Sequence, residues 1–250
     1  MNQLFEGQCV WVTGAAQGIG AAIAQRFKAQ GAHVVGIDRL FTEGTNHLDE
    51  AVTLDLTEAD AVKKQCASLL ARQGLDILVN AAGVLRTGTL DHAEEVDWQA
   101  CIDTNAGGVY RMLHHTIAHF KTRRQGAIVT VSSNAAHAPR IGMGVYGASK
   151  AAVRSLCLSA GLELAPYGVR CNIVSPGSTD TAMQRALWQG PDAEQRTIQG
   201  FPDDFKLGIP LGKIARPQDI ADVVLYLASP QAGHVTLQDI VVDGGATLGA

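Results

Sequence analysis

The chain has 250 residues, 46% of them apolar, which is enough for one large or two small domains. The net charge at pH 7 is −4 and no block of basic residues occurs, so nucleic acid and anionic membrane are not expected as main partners. The start of the chain has no cationic segment before an apolar run, and no stretch is apolar enough for a membrane helix, so neither a secretory signal nor a membrane span is predicted.

Five cysteines are spread along the chain, at Cys9, Cys66, Cys101, Cys157 and Cys171. Their number is odd and no Cys-x-x-Cys pair occurs, so neither a disulfide framework nor a zinc site is predicted. We interpret them as small apolar core residues of a protein that works in the reducing cytoplasm.

Short apolar, β-branched runs recur along the chain and predict seven strands. They are Cys9–Thr13, His33–Asp38, Ala51–Asp55, Asp76–Asn80, Ala127–Ser132, Arg170–Val174 and Asp239–Val242. Runs such as Ile77–Val79 are apolar at consecutive positions, which is typical of parallel strands buried on both faces.

Helical patterns fill the gaps between the strands. They cover Gly18–Gln30, a stretch after Thr57, Asp97–Arg124, Gly144–Ala165 and Pro217–Ala228. Thr57 is a candidate N-cap for the second helix. Within the third pattern, the sequence of residues 105–108, Asn-Ala-Gly-Gly, predicts a kink or a division into two helices.

Strands that alternate with helices over the whole length predict an α/β fold, with a doubly wound parallel sheet of about seven strands flanked by helices. No linker rich in Gly, Ser or Pro divides the chain, so residues 1–250 are expected to form a single domain. Residues 181–208 interrupt the alternation with mixed apolar and polar residues, and we expect them to form a helical lid.

A glycine-rich turn follows the first predicted strand. Gly14 would permit a tight turn, Gly18 would let backbone N–H groups approach a pyrophosphate, and Gly20 would let the helix pack closely on the strand. The N-terminus of the next helix would then face the phosphates. The spacing Gly-x-x-x-Gly-x-Gly at this junction predicts a dinucleotide site.

Asp38 ends the second predicted strand, eighteen residues after Gly20. A carboxylate there can bind both ribose hydroxyls of adenosine and repels a 2′-phosphate. Ala16 and Gln17 add no cation to the glycine turn, so NAD is favoured over NADP. Arg39 argues the other way, because a cation beside Asp38 could tolerate a phosphate.

Two further strand ends are candidates for the adenosine site. Asp55 is placed to meet the adenine amino group, and a helix-capping role for it is equally open. The small residues of Asn80-Ala81-Ala82-Gly83 would let the backbone pass close to the adenine ribose.

Tyr146 and Lys150 are spaced i, i+4 at the start of a long helical pattern, which puts phenol and ammonium on one face. A nearby cation favours the phenolate, so Tyr146 could serve as a general acid/base. Ser133, thirteen residues earlier at a strand end, and Asn105 complete the candidate site. Ser132 is the alternative serine, and the spacing to Tyr146 favours Ser133.

With these residues the sequence resembles a known family over its full length, the short-chain dehydrogenases/reductases. The matching motifs are Thr13-Gly14-x-x-x-Gly18-x-Gly20, Asn80-Ala81-Ala82-Gly83, Asn105, Ser133, Tyr146-x-x-x-Lys150 and Pro176-Gly177. The resemblance implies a Rossmann sheet in the strand order 3-2-1-4-5-6-7, a nicotinamide cofactor and commonly a homotetramer.

The resemblance also implies individual roles. Tyr146 would be the acid/base, Ser133 would orient the substrate oxygen, Lys150 would hold the nicotinamide ribose and lower the pKa of Tyr146, and Asn105 would anchor a proton-relay water. Cofactor-binding positions would be Gly14, Gln17, Gly18, Ile19, Gly20, Asp38, Asp55, Leu56, Asn80, Ala81, Gly83, Tyr146, Lys150, Pro176, Gly177, Thr179 and Thr181. Substrate-binding positions would be Ser133, Arg140, Met143, Tyr146 and Met183.

Four further segments, at 135–143, 178–185, 205–217 and 237–250, resemble one branch of this family. That branch oxidises a cyclic dihydrodiol carboxylate with NAD in the synthesis of catechol siderophores of the enterobactin type. The resemblance implies this small-molecule substrate. It also suggests transient contacts with other enzymes of the siderophore pathway.

Arg140 lies between Ser133 and Tyr146, in the loop that must pass the substrate pocket. One interpretation is a solvent-facing or salt-bridged loop charge. The other is a bidentate clamp on the substrate carboxylate, which the planar guanidinium fits well.

Two other functions are alternatives to the oxidation of a cyclic dihydrodiol carboxylate. A different reductase of the same fold, such as a 3-oxoacyl carrier-protein reductase, would prefer NADPH and a basic residue in the glycine turn, which this chain lacks. A non-enzymatic NAD-sensing module would have little use for the four catalytic positions together.

Two side-chain groups have simpler interpretations. His114, His115 and His119 share a helical pattern but lack further ligands, so no metal site is predicted. Trp188, with Leu187 and Met183, could close on a ring substrate or could be surface packing, and both interpretations stay open.

Overall fold

Seven parallel strands form the sheet in the computed structural model, which describes residues 3–41 and 44–249. The strands are β1 (Cys9–Thr13), β2 (His33–Asp38), β3 (Glu50–Thr53), β4 (Ile77–Asn80), β5 (Gly126–Val131), β6 (Val169–Pro176) and β7 (Asp239–Val242). Their order is β3-β2-β1-β4-β5-β6-β7, so the predicted strand order is confirmed. The domain predicted for 1–250 includes positions 1, 2, 42, 43 and 250, which lie outside the described residues.

Helices follow every strand from β3 to β6 as well as β1, and they cover both faces of the sheet, whereas the described residues between β2 and β3 contain no helix. They are α1 (Gly18–Ala29), α2 (Ala59–Arg72), α3 (Glu95–Cys101), α4 (Gly108–Arg123), α5 (Gly144–Leu164), α6 (Ala182–Arg185), α7 (Ala193–Gln199) and α8 (Pro217–Ala228). Pro217 occupies the first helical turn of α8, where its missing N–H costs no hydrogen bond.

Apolar side chains alternate between two cores because the strands are buried on both faces. In β1, Trp11 packs into the core covered by α2, α4 and α5, whereas Val10 and Val12 pack into the core covered by α1 and α8. The five cysteines are all buried with free thiols.

A π-helical segment, Ile102–Gly107, joins α3 to α4 without a break. It lies where the sequence predicted a kink or two helices, so the predicted irregularity is confirmed as a wider turn inside one helical run. Such π turns reorient a side chain at functional positions. Here the segment carries Asn105 into the interior, where it is fully buried.

The predicted N-cap of α2 is wrong. The helix begins after Glu58, not Thr57, and Thr57 instead donates to a carboxylate oxygen of Asp55 from both its amide and its hydroxyl. Thr57 is therefore held by the preceding residue before the helix starts.

Residues 181–208 form an irregular segment beside the carboxyl ends of the strands. It contains α6, α7 and a 3₁₀ turn at Pro202–Asp204, so the predicted helical content is present. Among the described residues, no helix has the length and apolar character needed to cross a bilayer.

Candidate functional site

Two adjoining cavities open at the carboxyl ends of the strands, one of about 610 Å³ and one of about 260 Å³. Ile19, Ala81, Gly83, Thr181 and Met183 line both, so the cavities form one continuous cleft. A cleft at the crevice between β1 and β4 lies at the switch point of a doubly wound sheet, where such proteins bind ligands.

Twenty of the predicted site residues line this cleft. They are Gly14, Gln17, Gly18, Ile19, Gly20, Asp38, Asp55, Leu56, Ala81, Gly83, Ser133, Arg140, Met143, Tyr146, Lys150, Pro176, Gly177, Thr179, Thr181 and Met183. Asn80 and Asn105 do not line it.

The glycine turn forms one wall of the small cavity. Gly14 and Gly18 have φ angles of 71° and 57°, in the left-handed region that glycine adopts without strain. A Cβ on Gly20 would collide with the carbonyl oxygen of Gly14, so this glycine allows α1 to start close against β1. A Cβ on Gly18 would lie 3.3 Å from Thr181 Cγ2 and would fill the gap between the turn and the opposite loop.

Asp38 lies at the far end of the small cavity. One carboxylate oxygen accepts a hydrogen bond from the Ala16 amide at 3.0 Å, which fixes the side chain against the glycine turn. Among the described residues, no cation forms an ion pair with this carboxylate, although Arg39 lines the same cavity. The other carboxylate oxygen accepts from the Leu40 amide at 3.4 Å. Lone pairs remain on both oxygens after these two hydrogen bonds, so the position fits adenosine ribose hydroxyls.

Asp55 also lines the small cavity and is partly engaged. Its Oδ1 accepts from the Thr57 amide at 2.9 Å and from the Thr57 hydroxyl at 2.8 Å. The hydrogen bond from the Thr57 amide is the main reason why the pKa of Asp55 lies below its usual value. The helix-capping alternative is wrong in detail, because α2 begins later, but the carboxylate does cap a local turn.

Asn80 does not face the cleft, contrary to its assignment as a cofactor-binding residue. Its Nδ2 donates to the Thr130 hydroxyl at 3.1 Å, so the side chain braces β4 against β5. The backbone beyond it is what reaches the cleft. The amides of Ala81 and Ala82 donate to the Thr13 hydroxyl at 3.0 and 3.2 Å, which holds this strand end beside the glycine turn.

Tyr146 and Lys150 lie together in the large cavity, on the inner face of α5. Both side chains are buried, and Lys150 Nζ lies 5.9 Å from the centre of the Tyr146 ring. Nζ also donates to the carbonyl of Val131 at 3.1 Å, at the end of β5. The i, i+4 spacing thus places the phenol and ammonium where the sequence predicted.

The two serines at the end of β5 point in different directions. Ser132 donates its hydroxyl to the carbonyl of Lys150 at 3.2 Å and is thereby tied to α5. The Ser133 hydroxyl accepts from the Ala135 amide at 3.1 Å and lies beside the Tyr146 phenol, whose pKa it lowers. Ser133 is therefore the serine beside the phenol, as the spacing predicted.

Burial dominates the titration of the central pair. It raises the pKa of Tyr146 to about 12, against the opposing effects of the Ser133 hydrogen bond and the charge of Arg140. It also lowers the pKa of Lys150 to about 8. The expected lowering of the Tyr146 pKa by Lys150 is not what this structure shows, because desolvation outweighs a cation several ångströms from the ring.

Asn105 connects three elements behind Tyr146 and Lys150. Its Nδ2 donates to the Val84 carbonyl at 3.0 Å and to the Ser149 hydroxyl at 2.9 Å, and its Oδ1 accepts from the Val84 amide at 2.8 Å. Both amide hydrogens are used, so the side chain has no donor left for a water. Its side chain holds the chain after β4 against α5.

The loop after β6 closes the cleft opposite the glycine turn. Gly177 N donates to Val242 O at 3.0 Å, and Thr179 Oγ1 donates to Gly177 O at 3.2 Å. The Thr181 hydroxyl caps α6 by accepting from the Gln184 amide at 3.2 Å. Thr181 lines both cavities and lies at their junction.

Arg140 lines the large cavity near the phenol. Its guanidinium is half-buried and forms no ion pair with a carboxylate of the described residues. Burial lowers the pKa of Arg140, while the charge of Asp243 opposes this. The salt-bridged alternative is therefore wrong within the described part of the chain, and the solvent-facing alternative does not fit its burial.

Several residues that the sequence analysis left out line the large cavity beside Met183. They come from the irregular segment and include Gln184, Arg196, Phe201 and Lys206. No periodic pattern marks them. Trp188 lines the cavity as well, and its Nε1 is buried with no hydrogen-bond partner among the described residues.

The three histidines of α4 serve the helix surface and its packing. His119 hydrogen-bonds the Leu75 carbonyl at 2.9 Å, and the His114 ring stacks on Tyr110 with 5.6 Å between ring centres. Within residues 3–41 and 44–249, no cluster of three or more His, Cys, Asp or Glu side chains could hold a metal ion.

Comparison with known sequences gives a consistent set of relatives. Residues 14–247 match the family described as Enoyl-(Acyl carrier protein) reductase. A protein of Escherichia coli (strain K12), named 2,3-dihydro-2,3-dihydroxybenzoate dehydrogenase, is 57% identical over 98% of this chain and 99% of its own length. A Bacillus subtilis (strain 168) protein of the same name is 44% identical over 98% of this chain and 97% of its own.

Two solved structures share the fold at full length. One, titled short chain dehydrogenase/reductase family protein, is 33% identical with a TM-score of 0.85 and covers 98% of each chain. The other is a 7α-hydroxysteroid dehydrogenase complexed with NADH and 7-oxo glycochenodeoxycholic acid, 28% identical with a TM-score of 0.87, covering 98% of this chain and 96% of that one.

Proposed function

The chain belongs to the short-chain dehydrogenase/reductase family, and on that premise we propose that it oxidises 2,3-dihydro-2,3-dihydroxybenzoate to 2,3-dihydroxybenzoate with NAD⁺. The observation that carries the proposal is the 57% identity, over 98% of the chain, to a protein named for that activity. The product is a catechol acid, which fits a place in the synthesis of catechol siderophores.

The cleft fits a nicotinamide dinucleotide, which the family's dehydrogenases use. The space in front of Gly18 stays open because no Cβ fills it, and the start of α1 points its free N–H groups there. Asp38 would hold the adenosine ribose, Thr181 would meet the carboxamide, and Lys150 would hold the nicotinamide ribose. When bound, the nicotinamide ring supplies a two-electron acceptor for hydride.

We propose NAD rather than NADP because of the charges at the ribose end. Asp38 has no cationic partner among the described residues, so its charge would repel a 2′-phosphate. The neutral Ala16 and Gln17 add nothing to hold such a phosphate. The positive charge of Arg39 lowers the pKa of Asp55. Arg39 therefore interacts with the Asp55 carboxylate, which reduces the attraction it could offer to a 2′-phosphate.

The reacting end is organised by four side chains. Arg140 would hold the substrate carboxylate, while Ser133 and Tyr146 would hold one ring hydroxyl. Tyr146 would take the hydroxyl proton as the C–H hydrogen leaves as hydride. The positive charge of Lys150, 5.9 Å from the ring centre, would act against the desolvation that raises the Tyr146 pKa. The alcohol carbon becomes a ketone, which tautomerises to the aromatic catechol. Aromatisation makes the overall direction favour oxidation.

Residues 181–208 are proposed to act as a lid over the substrate. The segment supplies one wall of the large cavity, including Met183 and Trp188. A buried indole N–H without a partner on this wall suits a ligand acceptor. The surface interpretation of Trp188 is less well supported, because its Nε1 is turned inward.

A homotetramer in the cytoplasm is proposed from the family and the surface. Large apolar side chains are exposed on neighbouring helices, with Val96 of α3 65% exposed, Tyr110 of α4 51% and Leu162 of α5 65%. Such side chains suit subunit contacts. Contacts with other enzymes of the siderophore pathway stay a proposal.

One assay tests the proposed function directly. NADH formation is followed with the dihydrodiol acid and NAD⁺, and in parallel with NADP⁺ and in reverse with 3-oxoacyl thioesters and NADPH. We expect rapid, nearly complete NADH formation with the acid. Higher kcat/KM for a 3-oxoacyl thioester would overturn the proposal in favour of a carrier-protein reductase, an activity named for a Thermotoga maritima relative 33% identical to this chain.

A further inference from the structure

Lys206, on the irregular segment, faces the large cavity and has no part in the mechanism above. The backbones of Phe201 and Lys206 pair antiparallel, with Phe201 N donating to Lys206 O at 2.8 Å and Lys206 N donating to Phe201 O at 3.0 Å. The ammonium lies over the Phe201 ring, 5.1 Å from its centre. These contacts fix the lysine within its turn.

The turn that carries Lys206 contacts the loop that carries Arg140. Ile141 N donates to Asp204 O at 3.3 Å, so the two loops are joined one residue after the arginine. Both cationic side chains are half-buried and line the same cavity. Burial lowers the pKa of Lys206, and the charge of Arg140 lowers it further. The shared cavity and the hydrogen bond between the two loops place both cations on one wall of the site.

Neither cation is ion-paired with a carboxylate in the described part of the chain. Asp204 and Asp243 act on them only from a distance, through weak opposing effects on their pKa values. Two half-buried like charges repel, and within residues 3–41 and 44–249 no ion-paired carboxylate offsets their desolvation. An anion in the cavity would offset both the repulsion between the two cations and the cost of their desolvation.

A third cation of this wall differs in kind. Arg196 also lines the cavity, but its guanidinium donates to the carbonyl of Gln189 inside the same segment. Arg196 thus braces the segment, whereas Lys206 has a free ammonium over an aromatic ring.

We propose that Lys206 binds the substrate carboxylate jointly with Arg140, and that it is a specificity residue which the segment 181–208 brings to the site. The inference deepens the proposed function, on which its choice of a ring carboxylate rests. It predicts a site selective for ring acids over the corresponding neutral rings, with one cation on the fixed loop and one on the segment.

The test measures ligand binding by calorimetry, with the protein saturated with NAD⁺. The ligands are 2,3-dihydroxybenzoate and catechol, which differ only in the carboxylate. The variants are Lys206→Met, Lys206→Arg and Arg140→Met, with Lys213→Met as a control, since Lys213 is exposed and does not line the cavity.

We expect Lys206→Met to weaken 2,3-dihydroxybenzoate roughly tenfold more than catechol, as for a hydrogen bond between charged groups. Lys206→Arg should retain most of this selectivity, and Lys213→Met all of it. In the double variant with Arg140→Met, the loss should be smaller than the product of the single losses, since both cations hold one carboxylate.

Equal weakening of both ligands by Lys206→Met would make Lys206 a structural residue and overturn the inference, as would unchanged selectivity. The proposed function fails separately, if the unmutated protein forms no NADH from the dihydrodiol acid. Selective loss of acid binding in that case would leave Lys206 as part of an anion site for a different ring acid.

Discussion

The two ends of the cleft are built in different ways. At the nucleotide end, the wall is backbone: glycines with left-handed φ angles, strand ends and amides such as Ala16 N, which binds Asp38 at 3.0 Å. At the substrate end, the wall is side chains from distant parts of the chain, with Tyr146 on α5, Arg140 on a loop and Lys206 on the irregular segment. The first construction depends on local turn geometry, while the second depends on contacts between distant segments, and we propose that it selects the substrate.

The largest expected effect follows from removing the phenol oxygen of Tyr146 at the substrate end. Tyr146→Phe keeps the ring and deletes the phenol, so turnover should fall by about 10²- to 10⁴-fold, the range for a general acid/base. NADH binding, measured by calorimetry, should remain. Tyr110→Phe on exposed α4 is the matched control. Turnover close to wild type in Tyr146→Phe would remove this residue from the acid/base role.

The next effect concerns the carboxylate clamp at the same end. Arg140→Ala should lower kcat/KM for the acid about 10- to 150-fold, corresponding to roughly 1.5–3 kcal/mol for a bond between charged groups. A cyclohexenol without a carboxylate should lose far less. Similar losses for both substrates, or for neither, would place Arg140 in the structure rather than in recognition.

The nucleotide end was predictable because its constraints are local. Gly14, Gly18 and Gly20 are required by turn geometry and by one close contact, and neither depends on distant residues. Tyr146 and Lys150 were predictable for the same reason, since i, i+4 spacing on a helix fixes a shared face. To predict the position of Asp38, it was enough to locate the end of the second strand.

The substrate end was predictable only in part. The turn that carries Lys206 is joined to the loop that carries Arg140 by a hydrogen bond from Ile141 N to Asp204 O, and no spacing in the sequence encodes that contact. The sequence pattern also did not predict the side-chain direction at a strand end. Asn80 donates a hydrogen bond to Thr130 inside the sheet instead of facing the cleft. The pKa of Tyr146 depends on burial, which spacing does not reveal.

A stability experiment compares the two ends through their glycines. Gly20→Ala places a methyl group against the Gly14 carbonyl, so the free energy of unfolding should fall by roughly 1–3 kcal/mol, the usual cost of overpacking. Gly190→Ala, in the irregular segment, meets nothing closer than 3.9 Å and should cost only the strain of its φ of 80°. Urea denaturation of both variants provides the measurement. An equal loss would mean that the glycine turn is not the tighter of the two.

A pH experiment addresses the buried lysine between the two ends. Burial lowers the pKa of Lys150 from 10.5 to about 8, so between these values the unfolded chain holds more protons than the folded one. Unfolding free energy should therefore rise with pH there. From pH 7.5 to 9.5, wild type should gain roughly 1–2 kcal/mol relative to Lys150→Met. The exposed Lys213→Met should track wild type, and a constant difference for Lys150→Met would contradict the lowered pKa.

The smallest effect sharpens the account of the nucleotide end, where one carboxylate both fixes the turn and selects the cofactor. Asp38→Asn keeps an oxygen that can accept from the Ala16 amide, so it removes the charge with little loss of structure. Because the charge repels a 2′-phosphate, the ratio of kcat/KM for NAD⁺ to that for NADP⁺ should fall about tenfold, or roughly 1.4 kcal/mol. Asp38→Ala should lower the same ratio and should also weaken NAD⁺ itself, since the turn then loses its anchor. Comparable kcat/KM values for the two cofactors in the unmutated protein would show that Arg39, not Asp38, sets the charge at this end of the cleft.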